Sequence, residues 1–265
     1  MASAELGSYD RDVNGPLRYR CIMKILNSLA VTVIAAASIV SFSGESPARA
    51  AVGATASGDC MAEVVRDLKI TWPKNKAINI VAFGHSVPAG YAVTPEVRKK
   101  DAYPRLLEDA LADRYPHAVL NVITSGVGGE NSTQGLARFQ RDVLDHHPRV
   151  VLIDFALNDR PLGVEVAKGN LTKIVDGARS AGACPVLLTP TWDEKASPNQ
   201  PGDALGEQAA MIRGLANELD VPLADSLAAF DAYKGDRHLL MAQFNHPNRE
   251  GHKIVLSQIM PLFEK

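Results

Sequence analysis

The chain has 265 residues, 46% of them hydrophobic and 22% charged, with a formal net charge of −2. That composition fits a globular protein with one substantial core and excludes a disordered or fibrous chain. No block of Lys and Arg stands out, so nothing points to nucleic acid or an anionic membrane surface as a partner.

Residues 1–50 read as an upstream extension followed by a signal peptide, and residues 51–265 as one domain. Met23-Lys24 precedes an apolar run over 25–42, and Ala48-Arg49-Ala50 supplies an Ala-x-Ala ending. Cleavage is expected after Ala50, which places the mature protein in the periplasm or the medium. The run is short and broken by Asn27, Ser28, Thr32 and Ser38. No stable membrane anchor is therefore expected. Residues 1–22 lie upstream of a better start at Met23.

In the mature chain, 61–68 offers a short helix that Trp72-Pro73 breaks. An apolar, β-prone run over 78–83 reads as a first buried strand, and Gly84-His85-Ser86 turns at its end. Residues 87–91 read as loop. The spacing of Tyr103, Leu106, Leu107, Ala110 and Leu111 predicts an amphipathic helix over 103–115, which Pro116 stops. A second strand over 118–124 runs into the glycine-rich loop 125–132. A polar helix over 133–145 and a third strand over 150–155 follow. Ala167, Leu171, Ile174, Val175 and Ala178 give 164–181 a helical inner face, with Gly182 just beyond. A strand over 185–189, a helix over 205–219, a strand over 221–224 and a helix over 249–263 complete the chain. Five alternations of strand and helix predict an α/β fold, a parallel sheet with helices on both faces.

Three cysteines are present. Cys21 lies in the extension. Cys60 and Cys184 remain, either as a disulfide favoured by export or as two separate buried thiols. Two cysteines and seven scattered histidines supply no metal framework, so no metal or other cofactor is expected.

The motifs after the strands share one edge of the sheet, where open α/β proteins bind ligands. Ser86 follows the first strand, Gly126 the second and Asn158 the third; His246 precedes the last helix. Ser86 can be a helix N-cap or a nucleophile. His246 titrates near neutrality and suits a general base. The backbone N–H groups of Ser86 and Gly126, with the Asn158 amide, can be donors to an oxyanion. The glycine loop lacks the Lys-Ser/Thr of a P-loop. Pro88 stands where the G-x-S-x-G elbow of the α/β-hydrolases needs glycine.

Gly84-His85-Ser86, Gly126-Val127-Gly128-Gly129, Ala156-Leu157-Asn158-Asp159 and His246-Pro247 resemble, in order, the four blocks of the SGNH hydrolase superfamily, the GDSL-like lipases and esterases. The resemblance runs from about residue 78 to the end. It implies a three-layer α/β/α sandwich with a flavodoxin-like five-stranded parallel sheet, and a metal-free serine site. Three positions depart from the family pattern. His85 stands where Asp is usual, Ala156 where Gly is usual, and Gln243 where the triad acid precedes the histidine by three. Gln243 through its amide oxygen, or a backbone carbonyl, could then orient His246. Asp193, Asp225 and Asp236 are further candidates on other loops.

These readings converge on an exported serine esterase that hydrolyses short, acetyl-type esters, with a small-molecule or carbohydrate ester as its partner. An envelope polysaccharide O-acyltransferase and a non-catalytic carbohydrate-binding protein are the alternatives on the same fold.

Overall fold

The computed structural model describes residues 57–264. The leader over 1–50 and its cleavage after Ala50 lie outside the described residues. In chain order the elements are α1 (Ser57–Leu68), β1 (Ala77–Gly84), α2 (Ser86–Ala89), α3 (Tyr103–Arg114), β2 (Val119–Gly126), α4 (Ser132–Asp142), β3 (Val150–Asp154), α5 (Ala156–Asp159), α6 (Val164–Ser180), β4 (Cys184–Leu188), α7 (Ala204–Glu218), β5 (Leu223–Ala224), α8 (Ser226–Ala232), β6 (Met241–Gln243), β7 (His246–Pro247) and α9 (Arg249–Ile259).

β1 to β5 form a parallel sheet in the order β2-β1-β3-β4-β5. β1 alternates between two cores. Ile78, Ile80 and Ala82 face one cluster, which holds Tyr103, Leu107 and Leu111 of α3 and Val255 and Ile259 of α9. Val81 and Phe83 face the other, with Phe139 of α4, Ile174 of α6 and Ile212 of α7. The period of two along the strand thus separates the helix layers, which makes the expected α/β/α sandwich. The order of strands reverses at β1, so the carboxyl ends of β1 and β3 flank the switch point where such sheets bind ligands.

Several elements differ from the sequence reading. Residues 87–91 are not all loop, because Ser86–Ala89 forms a single helical turn. The helix expected over 133–145 ends at Asp142, and a 3-10 turn, Leu144–His146, follows. The last helix likewise gives way to a 3-10 turn at Met260–Phe263. β5 is only two residues long; Pro222 ahead of it has no N–H for the ladder. α8 and the antiparallel β6–β7 pair are additions. Cys60 and Cys184 are joined, at a Cα separation of 5.5 Å, tying α1 to β4.

Candidate active site

β1 ends at Gly84, and the next two residues start the turn that carries Ser86. His85 caps that turn: its Nδ1 accepts the Val87 N–H at 3.2 Å. The Gly90 and Tyr91 N–H groups both return to the Ser86 carbonyl at 3.0 Å. Pro88 falls inside the first turn, where its missing N–H leaves no bond unmade. The Ser86 N–H belongs to the first residue of this turn and has no acceptor within it.

His246 reaches Ser86 from the other end of the chain. The β6–β7 pair positions its backbone, and Asn248 caps α9 directly after it, accepting the Glu250 N–H at 2.9 Å and the Gly251 N–H at 3.2 Å. His246 Nε2 stands 2.9 Å from Ser86 Oγ. His246 Nδ1 stands 3.0 Å from the Ala92 carbonyl oxygen. A carbonyl only accepts, so the hydrogen of the neutral ring is on Nδ1 and the Nε2 lone pair faces the serine hydroxyl. That is the tautomer a general base needs. Burial lowers the His246 pKa below the ordinary imidazole value; the Ala92 carbonyl opposes the shift and His85 adds to it.

The Ala92 carbonyl, not the Gln243 side chain, thus orients the imidazole. Gln243 Oε1 instead accepts the Thr94 N–H at 2.8 Å. Its backbone pairs with His246 in β6–β7, and its side chain points to the segment that carries Ala92. The three aspartates are occupied elsewhere. Asp193 pairs with Arg160 at 2.9 Å, Asp225 with Arg213 at 2.7 Å, and Asp236 accepts the His238 N–H at 3.0 Å.

Asn158 leaves β3 in the single turn α5, and its Nδ2 donates to the Glu130 carbonyl at 3.0 Å. Gly126 is the last residue of β2, paired with Gly84, and a Cβ there would come within 2.7 Å of the His85 carbonyl. Its lack of a side chain serves the close packing of β2 under α2. The loop residue that Asn158 bonds is Glu130, which follows Gly129. Gly129 has φ +82 and open space around its α-carbon, which suits an exposed turn.

Sequence reasoning missed one residue that ties this region together. Arg138 of α4 is 9% exposed. Its guanidinium donates to Glu130 Oε2 at 2.6 Å, Ser125 Oγ at 2.7 Å and the Gly84 carbonyl at 3.0 Å. It also covers the Phe83 ring at 4.7 Å. One buried cation thus joins the end of β1, the end of β2 and the loop that bonds Asn158. An Arg on a polar helix carries no signal of this, since its partners come from other segments of the chain. Tyr91, also unpredicted, lies with its ring centroid 5.9 Å from that of His246. No group of three His, Cys, Asp or Glu side chains that could hold a metal occurs among the described residues.

The GDSL-like Lipase/Acylhydrolase family matches this chain over residues 82–254. The chain is similar to thioesterase 1/protease 1/lysophospholipase L1 of Escherichia coli K12, at 29% identity over 157 residues, which is 58% of this chain and 69% of that protein. It is also similar to an arylesterase of Vibrio mimicus, at 31% identity over 111 residues, 41% of this chain and 52% of the relative. Among solved structures, an acetylxylan esterase from Geobacillus stearothermophilus shares the fold with a TM-score of 0.62 at 18% identity, covering 74% of this chain and 97% of that one. The chain belongs to the GDSL-like lipase/acylhydrolase family and is a carboxylic ester hydrolase.

Proposed function

We propose that this hydrolase is an exported esterase that releases short, acetyl-type groups from carbohydrate or other small esters, working through Ser86 and His246. The observation that carries the mechanism is the 2.9 Å contact between Ser86 Oγ and His246 Nε2, with Nδ1 committed to Ala92. Ser86 Oγ attacks the acyl carbon and His246 Nε2 takes its proton. The tetrahedral oxyanion is met by the Ser86 N–H and the Asn158 amide. The loop donor moves from Gly126 to the Gly129 N–H, because Gly129 lies beside the Glu130 carbonyl that Asn158 bonds. His246 then returns the proton to the leaving alkoxide. Water repeats the sequence on the acyl-enzyme.

Export is supported by the signal-like leader and by the Cys60–Cys184 disulfide, a bond that persists in oxidising compartments. The acetyl-type substrate is supported by the shared fold of the acetylxylan esterase. Acyl release from a panel of acetylated and longer-acylated sugars, with and without an added sugar acceptor, tests the reading. Ser86→Ala should lose turnover and keep its fold. An active Ser86→Ala enzyme would overturn the mechanism, and transfer in preference to hydrolysis would make the protein an acyltransferase.

A further inference from the structure

Beside the nucleophile, one buried ring nitrogen has no hydrogen-bond partner among the described residues: Nε2 of His85. His85 is 1% exposed. Its Nδ1 accepts the Val87 N–H at 3.2 Å and lies 3.4 Å from Ser86 Oγ. A ring nitrogen that accepts carries no hydrogen, so the neutral ring holds its hydrogen on Nε2. That N–H faces Asp154 Oδ1 at 3.4 Å, longer and less well aligned than a hydrogen bond. Asp154 closes β3, lies in register with Gly84 and is 2% exposed. Its charge also acts on Tyr103, whose phenol is pushed well up by burial first and by Asp154 second.

We propose that His85 and Asp154 are a positioning pair for the nucleophile, each residue suited to its place only while the other is present. The proposal rests on the reading of Ser86 as nucleophile. An aspartate at 85 could cap the Val87 N–H as Nδ1 does. It would also place a second carboxylate within the ~6 Å over which like charges oppose each other's ionisation, with both side chains buried. Imidazole makes the same cap, brings no negative charge and turns an N–H toward Asp154. The pair thereby holds the single helical turn whose first N–H and side chain belong to Ser86. His85 at this position is then explained by Asp154, not by a second proton acceptor for the serine.

The test is an exchange of the pair in the full-length protein. H85D, D154N and H85D/D154N are assayed with 4-nitrophenyl acetate, and each is melted. The expected result is a kcat at least ~30-fold lower in H85D with KM within ~3-fold. H85D/D154N should then regain at least ~10-fold in kcat over H85D and melt higher, a coupling within the range found for contacting residues. H85N, which keeps an acceptor for the Val87 N–H, should retain more activity than H85A. If H85D/D154N is no better than H85D in kcat or in Tm, or if both fail to fold, the pair is not a unit and the proposal is overturned. Failure of the nucleophile reading would appear separately, as turnover by Ser86→Ala, while the Tm coupling would still report on the pair.

Discussion

His252 gives this fold a specific weakness to acid. It lies on the inner face of α9, 2% exposed, and its Nδ1 accepts the Tyr103 N–H at 3.2 Å where α3 begins. Burial lowers its pKa to about 3; Asp101 works against the shift and His246 with it. An unfolded histidine titrates near ~6.5, so between those two values the unfolded chain binds a proton that the folded chain refuses. The stabilisation is therefore complete above ~6.5 and is lost as pH falls toward 3. Each pH unit inside that window removes ~1.4 kcal/mol, and the whole window removes ~5 kcal/mol, a large part of the stability of an ordinary domain. His252→Asn keeps an acceptor for the Tyr103 N–H and removes the titration. Urea unfolding of both proteins from pH 4 to 7.5 isolates the effect, because all other groups cancel in the difference. The variant should be less stable at pH 7.5 through lost packing, and that deficit should shrink by ~1.4 kcal/mol per unit as pH falls below ~6. A difference that stays constant with pH would refute the argument.

Two further outcomes follow from the site and one from the disulfide. The acid limb of kcat/KM should have its midpoint below the ~6.5 of free imidazole, because burial holds His246 down; a midpoint above 7 would show a carboxylate partner for the ring. Arg138→Met should lower stability by ~3 kcal/mol by leaving Glu130 unpaired, and should reduce kcat more than KM, as steady-state kinetics below the melting temperature would report. Reduction of Cys60–Cys184, which spans 124 residues, should lower unfolding free energy by up to ~5 kcal/mol in the chain-entropy account. Denaturation with and without dithiothreitol measures this, and kcat at 25 °C should be unchanged.

The parts of the fold legible in the sequence are those whose side chains repeat with a period. Ile78, Ile80 and Ala82 against Val81 and Phe83 mark a strand buried on both faces, and Ala167, Leu171, Ile174, Val175 and Ala178 mark one face of α6. The alternation of such segments was enough for the sheet and its layers. α2 and α5 have four residues each, too few to show a helical period. Each follows directly on the end of a strand, and α2 is capped by His85 while α5 has no side-chain cap. Candidate site residues could be picked out where the proposed chemistry lies in the side chain, as for Ser86, His246 and Asn158. They were not where a backbone group acts. Nothing about alanine at 92 marks its carbonyl as the partner of an imidazole 154 residues away. Gly126 and Gly129 likewise look alike in sequence, and only the strand register separates a packing glycine from a loop glycine.

The exchange of a triad carboxylate for the Ala92 carbonyl bears on which acyl compounds this site can cleave. The carbonyl does one of the carboxylate's two tasks, fixing the tautomer and direction of His246. It does not supply a full negative charge for the imidazolium that forms in the proposed mechanism when Ser86 loses its proton. At ~4 Å and an effective dielectric near 20, a full charge would contribute ~4 kcal/mol of attraction. Without it, His246 is a weaker base but, once protonated, a stronger acid, as its lowered pKa requires. A stronger acid gives its proton readily to an alkoxide as it departs. Ester cleavage therefore tolerates this base, since an alkoxide or thiolate leaves with little help. An amide does not, because its less electrophilic carbonyl needs a more strongly activated serine than a weaker base supplies. The geometry around Ser86 thus favours esters over amides by the same feature that separates it from a complete triad.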